Sequence, residues 1–293
     1  MKTMVEPVTR TLDMPGAKLT YDIRRNDASS APPLFLIGSP MAAAGFSTLI
    51  GHFPDRTILT YDPRGSERST KADPSTQSTP DEHADDLHRV IQAIGGGPVD
   101  LFASSGGATN ALALVARHPE DVRILVAHEP PIATVLPDSK NAKAAARAVN
   151  ETYKRSGFGA GMAHFIAVVS HEGEFPDGFA DQPAPDPAMF GMPTEDDGSR
   201  DDVLMAQNIV TGTQYELNFD ALRKASTRIV PALGVESQQI MTGRATNAIA
   251  ERLGTEPVIF PSGHAGFLGG EYGQQGDPDA FAAKLREVLA NEG

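Results

Sequence analysis

Short apolar runs that stop abruptly set the strongest limit on this chain. "PPLFLIG", "RTILTYD" (Arg56–Asp62), "VDLFA", "VRILVAHEPP" and "RIVPALG" (Arg228–Gly234) each put several apolar residues in a row and then break off. Runs this short suit strands, and the lack of polar alternation suits strands buried on both faces. Such strands need helices on either side, which points to a mostly parallel α/β sheet.

The intervening segments have helical character. "GFSTLIGHF" reads as a short helix. Thr79-Pro80 opens another, with Thr as N-cap, Pro at the first helical position and Leu87, Val90, Ile91 and Ile94 on one face. Gly95-Gly96-Gly97 ends it. A further helix runs from about Gly107 to His118, another is "GRATNAIAERLG", and the last spans about Pro278 to Ala290. Thr9 to Arg25 reads as a hairpin turning at Pro15-Gly16, and "EPVIFPSG" supplies a final strand.

The rhythm pauses between Ile132 and Thr227. This gap holds helical pieces, "AKAAARAVNETYK", "GMAHFIAVV" and "DDVLMAQNIV", around an irregular stretch rich in Pro, Gly and Asp. The expected division is a core of residues 1–131 and 228–293 and a cap of residues 132–227. A long insertion at one point of a parallel sheet is expected over the C-terminal strand ends.

Composition narrows the partners. Asp and Glu outnumber Lys and Arg, 38 to 25, for a formal charge of −13. That balance disfavours nucleic acid and anionic membrane surfaces. No stretch approaches the roughly 20 apolar residues of a membrane span, and "MKTMVEPVTRTLDM" has no apolar signal-peptide region. Cytoplasmic localisation is the default. A homodimer is left open. With no Cys, thiolate catalysis and Cys-ligated metal are excluded.

Chemistry concentrates at "ASSGG", Ala103 to Gly107. A small-x-Ser-x-Gly turn from strand to helix forces its central Ser into a strained backbone and lifts the hydroxyl clear of the sheet. The frame selects Ser105. Shifting it to Ser104 would put Phe102 in a slot that needs a small residue. A serine nucleophile needs a base, and a carboxylate to hold that base. His264 stands in "IFPSGHAGFLGG", a loop of small residues after the last strand. His52, His83, His88, His118, His164 and His171 read as surface or packing residues.

Taken in order, "LFLIGSP", "YDPRGSERS", "ASSGG" and "FPSGHAGF" resemble the motifs of the α/β-hydrolase superfamily. The resemblance covers the chain apart from the insertion. It implies an α/β-hydrolase fold: a mostly parallel eight-stranded sheet flanked by helices, with a mainly helical cap after the sixth strand. It also implies a serine hydrolase that cleaves a carboxylic ester or lactone of a small to medium organic molecule through an acyl-enzyme. The acid departs from the usual pattern, because "GVES" puts Ser237 where most relatives carry Asp. Zearalenone-type lactonases take their acid from the preceding strand end, within a similar His-Glu-x-Pro pattern. By that likeness Glu129 is the expected acid and Glu236 the alternative, and His128 is read as structural. The oxyanion donors implied are the N–H groups of Ser39 and Gly106. Asp62, Arg64 and Glu67 in "YDPRGSERS" read as a structural turn, with Arg64 and Glu67 tying loops beneath the site. No phosphate loop, His-Glu-x-x-His helix or close His cluster is present in the sequence, so neither cofactor nor metal is expected. The other readings are a cofactor-free C–C hydrolase or perhydrolase, and a ligand-binding protein on a hydrolase scaffold.

Overall fold

The protein, described here as a computed structural model over residues 6–291, is built on one sheet. β1 (Val8–Met14) and β2 (Ala17–Arg24) form the expected hairpin, turned by Gly16 at φ 70°. β3 (Leu34–Ile37), α1 (Ser47–Gly51) and β4 (Ile58–Asp62) follow. β5 (Thr70–Lys71) is a two-residue strand, too short to show in the hydrophobic pattern. α2 (Pro80–Ala93) begins with a reciprocal cap: the Glu82 N–H donates to Thr79 Oγ1 at 3.2 Å, and the Thr79 N–H donates to Glu82 Oε2 at 2.8 Å. Next come β6 (Val99–Ser104), α3 (Gly106–Arg117) and β7 (Val122–His128).

The insertion holds α4 (Ser139–Val169), α5 (Ile209–Thr213) and α6 (Phe219–Lys224). β8 (Arg228–Gly234), α7 (Met241–Leu253), β9 (Val258–Phe260) and α8 (Pro278–Ala290) complete the chain. The sheet order is β1-β2-β4-β3-β6-β7-β8-β9, with β5 beside β2. β1, β2 and β4 pair antiparallel, and every pairing from β4 to β9 along that order is parallel. The eight expected strands are therefore all present. The insertion follows the sixth of them, which is the seventh once β5 is counted.

Burial on both faces explains the unbroken apolar runs. On one face Phe35, Leu101, Ala103 and Leu125 pack with Leu87 and Ile91 of α2, Leu112 and Val115 of α3 and Ile249 of α7. On the other, Leu34, Leu36, Phe102 and Val126 pack with Leu49 of α1 and Phe281 and Leu285 of α8. The parallel strands end together, with Ile37 beside Ala103, Ser104 beside His128, and His128 beside Ala232.

A third apolar cluster belongs to the insertion. Ala145, Val149 and Tyr153 of α4 meet Phe175, Met205 and Ile209, and Met241 and Ala245 of α7 close it. α4 breaks at Gly157 (φ 80°), which divides it into the two expected helical pieces. A Cβ at Gly157 would lie 2.3 Å from Asp196 Oδ1, so only glycine fits there. "DDVLMAQNIV" differs from a plain α-helix. Val203–Asn208 forms a wider π-turn before α5. Asn150 Nδ2 donates to the Met205 carbonyl at 2.6 Å and so takes an acceptor from the helical ladder. α6 leaves this cluster: Phe219 and Leu222 pack with the helices of the core. Among the described residues no helix is long and apolar enough to cross a membrane.

The turn after β4 is tied by Arg64, as expected, and by Arg68 rather than Glu67. Arg64 grips the α2 carboxylate Asp86 in two bonds of 2.8 and 2.7 Å, both groups buried. Arg68 bridges Asp62 and Asp22, and Glu67 is exposed. Arg64→Met leaves the Asp86 carboxylate buried without its partner, so it is expected to lose roughly 3–5 kcal/mol of stability. Urea unfolding measures this, and Arg64→Met combined with Asp86→Leu should recover most of the loss.

Candidate active site

The bend at Ser105 is set by close contact. Ser105 has φ 57° and ψ −130°, between the end of β6 and the first turn of α3. A Cβ at Gly106 would lie 2.6 Å from the Ser39 carbonyl oxygen, and one at Gly107 would lie 2.9 Å from Gly38. The loop after β3 therefore rests on the start of α3, and glycine is needed at both positions. The Ser105 N–H donates to the His128 carbonyl at 2.9 Å. This bond continues the β6–β7 ladder one step past the strand. Ser104, still on the strand, is buried. Ser105 is partly exposed, beyond the sheet edge.

His264 reaches the same edge from the loop after β9. That loop turns through Ser262 at φ 66° and Gly263. His264 Nδ1 lies 2.6 Å from Glu129 Oε2. The Glu129 carboxylate is fully buried at the end of β7, where its own φ is 52°. It also accepts the Gly234 N–H at 2.9 Å and the Thr242 hydroxyl at 2.9 Å. Burial opposes its ionisation, but the His264 hydrogen bond, the nearby imidazoles of His128 and His264 and the Gly234 N–H prevail and hold it well below the usual carboxylate range.

Of the two candidate carboxylates, the structure brings Glu129 to His264 and leaves Glu236 out. Glu236 is exposed, and its Oε2 lies beside Gly263. Ser105 and His264 share no direct hydrogen bond here. Such bonds are often long in a free enzyme and tighten when substrate binds. Ser39 is buried and precedes Pro40 through a cis peptide. Asn208 Nδ2 lies 3.5 Å from Ser39 Oγ, which brings the π-turn of the insertion onto the loop after β3.

Three contacts at this edge have no sequence signal of their own. Thr242 and Gly234 come from the next strand and helix, and only the sheet order places them at Glu129. His128 is one residue from Glu129, yet its neighbours are visible only once β6 and β7 pair in register.

Among the described residues, His88, His118 and Asp121 form one group with metal-ligand chemistry. Their atoms are already engaged with one another and with Gln92. His88 Nδ1 lies 2.6 Å from Asp121 Oδ2, Gln92 donates to Asp121 Oδ1 at 3.0 Å, and the two rings stack.

Two buried histidines give the fold an acid dependence. Burial pushes His83 and His128 down to about 4, with the Arg64 charge adding to the effect at His83. Between pH 6.5 and 4 the unfolded chain takes up protons that these folded rings refuse. Stability is therefore expected to fall as pH falls through that window, by about 2 kcal/mol per histidine at pH 5 relative to pH 7. Urea midpoints at the two pH values measure it, and His83→Gln should remove part of the difference.

Comparison with known proteins agrees with this architecture. A family model described as alpha/beta hydrolase fold matches residues 34–218. An uncharacterized hydrolase, YraK of Bacillus subtilis (strain 168), is 30% identical over 288 residues, covering 96% of each chain. MGS-M2, an alpha/beta hydrolase enzyme from a Medee basin deep-sea metagenome library, superposes with a TM-score of 0.70 at 16% identity, covering 97% of this chain and 98% of that one. The enol-lactonase from Burkholderia xenovorans LB400 superposes with a TM-score of 0.65 at 17% identity, covering 96% of this chain and 100% of that one. At such identities the two structures speak for the fold alone. By the matched model, and by a relative aligned over nearly its whole length, the chain belongs to the alpha/beta hydrolase fold family.

Proposed function

We propose that the protein is a serine hydrolase that cleaves a carboxylic ester or lactone of a small to medium organic molecule. The observation that carries this reading is the 2.6 Å contact between His264 Nδ1 and the buried Glu129, at the sheet edge from which Ser105 projects. Glu129 holds the imidazole with its Nδ1 proton inward, so Nε2 is the basic nitrogen. His264 takes the Ser105 proton as the hydroxyl oxygen attacks the substrate carbonyl. The N–H groups of Ser39 and Gly106 receive the oxyanion, aided by the positive end of α3. The imidazolium then protonates the leaving alcohol, and Glu129 offsets its charge. Water activated by the same imidazole hydrolyses the acyl-enzyme and frees Ser105.

The same reading assigns residues 132–227 as a cap that chooses the substrate. Its contact with the loop after β3, through Asn208, supports that role. Met162, Phe165, Ile166, Phe190, Met192, Leu204 and Met205 are its candidate apolar lining; Met205 is already buried in the cap's own cluster. A similar fold in an enol-lactonase favours an ester or lactone carbonyl. The Glu129–His264 contact supports this reading over that of a ligand-binding protein on a hydrolase scaffold.

Fluorophosphonate labelling followed by intact-mass measurement tests the nucleophile. One adduct on Ser105, abolished in Ser105→Ala, is expected; no adduct under conditions that label ordinary esterases would end the reading. On p-nitrophenyl esters and simple lactones, Glu129→Gln should lower kcat by about 10²–10⁴-fold. Glu236→Gln should stay within about twofold of the parent, as befits an exposed carboxylate with no bond to the imidazole.

A further inference from the structure

We propose that His128 is a positioning residue for the Glu129–His264 pair: it presents a neutral N–H to the acid, and Ser104 sets its tautomer. The inference rests on the assignment of Ser105, His264 and Glu129 made above.

The surroundings of His128 are wrong for a ring that only packs. The imidazole is fully buried, with the rings of Phe102, Phe260, Phe267 and Phe281 at 5.8, 6.1, 6.2 and 5.4 Å. A phenylalanine would fill such a space with no polar atom to desolvate. The imidazole has two polar edges. Nδ1 lies 3.1 Å from Ser104 Oγ, and Nε2 has no hydrogen-bond partner but lies 3.6 Å from Glu129 Oε1.

These contacts choose the tautomer. A bare Nε2 would aim its lone pair at an anionic carboxylate, which is repulsive. With the proton on Nε2, Nδ1 becomes an acceptor, and the Ser104 hydroxyl is the donor beside it. The Glu129 carboxylate then faces four donors for about four lone-pair directions. Oε1 has the Gly234 N–H at 2.9 Å and His128 Nε2 at 3.6 Å; Oε2 has the Thr242 hydroxyl at 2.9 Å and His264 at 2.6 Å. At 3.6 Å the His128 approach is longer than a formed hydrogen bond, so it supports the carboxylate through its dipole and tightens with a small ring movement.

Neutrality is part of the role. Burial keeps His128 uncharged at neutral pH, so it adds a donor without adding a second cation to compete for Glu129. The titratable groups facing Glu129 are His128 from its own strand and His264 from the loop after β9. β6 contributes the Ser104 hydroxyl through His128, β8 contributes the Gly234 amide, and α7 contributes the Thr242 hydroxyl. Glu236 is exposed, with its Oε2 beside Gly263 of the histidine loop.

Removing the His128 donor leaves Glu129 less satisfied. It then draws harder on the His264 Nδ1 proton, and the proton affinity of His264 rises. His128→Phe, which suits the phenyl shell, is expected to move the acid limb of the kcat/KM–pH profile upward by about half to one pH unit. It should also lower kcat by about 5–20-fold with KM nearly unchanged. His128→Gln carries an amide N–H to the same place and should keep the limb within about 0.2 unit of the parent. Ser104→Ala should shift it in the same direction as Phe by a smaller amount, and it carries the test if the Phe variant fails to fold. A Phe profile that superimposes on the parent, or a Gln shift as large as the Phe shift, would overturn the proposal. Ser105→Ala separates the two levels. If it retains activity, the triad assignment itself fails; if it is inactive while the His128 profiles are unchanged, only this inference fails.

Discussion

A single buried carboxylate ties the functional edge of this protein together. Glu129 ends β7, accepts from the backbone at the end of β8 and from the first turn of α7, and receives the His264 ring from the loop after β9. Donors from Gly234, Thr242 and His264, all far from Glu129 in sequence, converge on its two oxygen atoms. An anion in that position is costly unless its lone pairs are met, and the donors that meet them also fix where the imidazole stands. The positive φ at Glu129 turns the chain sharply off the strand just where it leaves for the insertion.

The sheet makes that convergence available. Parallel strands of nearly equal register deliver their C-terminal ends to one line, so Ser105 after β6, Glu129 after β7 and the loop after β9 lie along the same edge without long-range coincidence. The elbow adds strain at Ser105, and contact with the loop after β3 holds it there. The insertion has an apolar cluster of its own, but it is not free of the core. α7 closes that cluster, α6 packs on the core, and Asn208 touches the loop that would serve the oxyanion.

Much of this was legible in one dimension, and for stated reasons. Unbroken apolar runs named the strands because burial on both faces leaves no room for polar alternation. Thr79, Pro80 and Glu82 named a helix start because a cap is a local device. Ser105 stood out because only a strained turn needs that many small residues. The misses share a cause as well. β5 is two residues long and exists through its pairing with β2. The π-turn at 203–208 is met by the side chain of Asn150, more than 50 residues earlier. Arg64 reads as a loop tie, but only the fold shows that the group it grips is Asp86 on α2.

By itself, the sequence determined the class of fold, the bend at Ser105, the candidate histidine and the short list of acids. The fold class and the bend follow from a few consecutive residues, where backbone sterics and burial act locally, whereas the acids rest on the resemblance to α/β-hydrolases. Only the tertiary structure put Glu129 rather than Glu236 beside His264, brought Thr242 and Gly234 to that carboxylate, and gave His128 a polar edge facing it. Each of those depends on strand order and register. A side chain's neighbours across a parallel sheet come from other parts of the chain, and no local pattern records which oxygen will lie within hydrogen-bond reach of which ring.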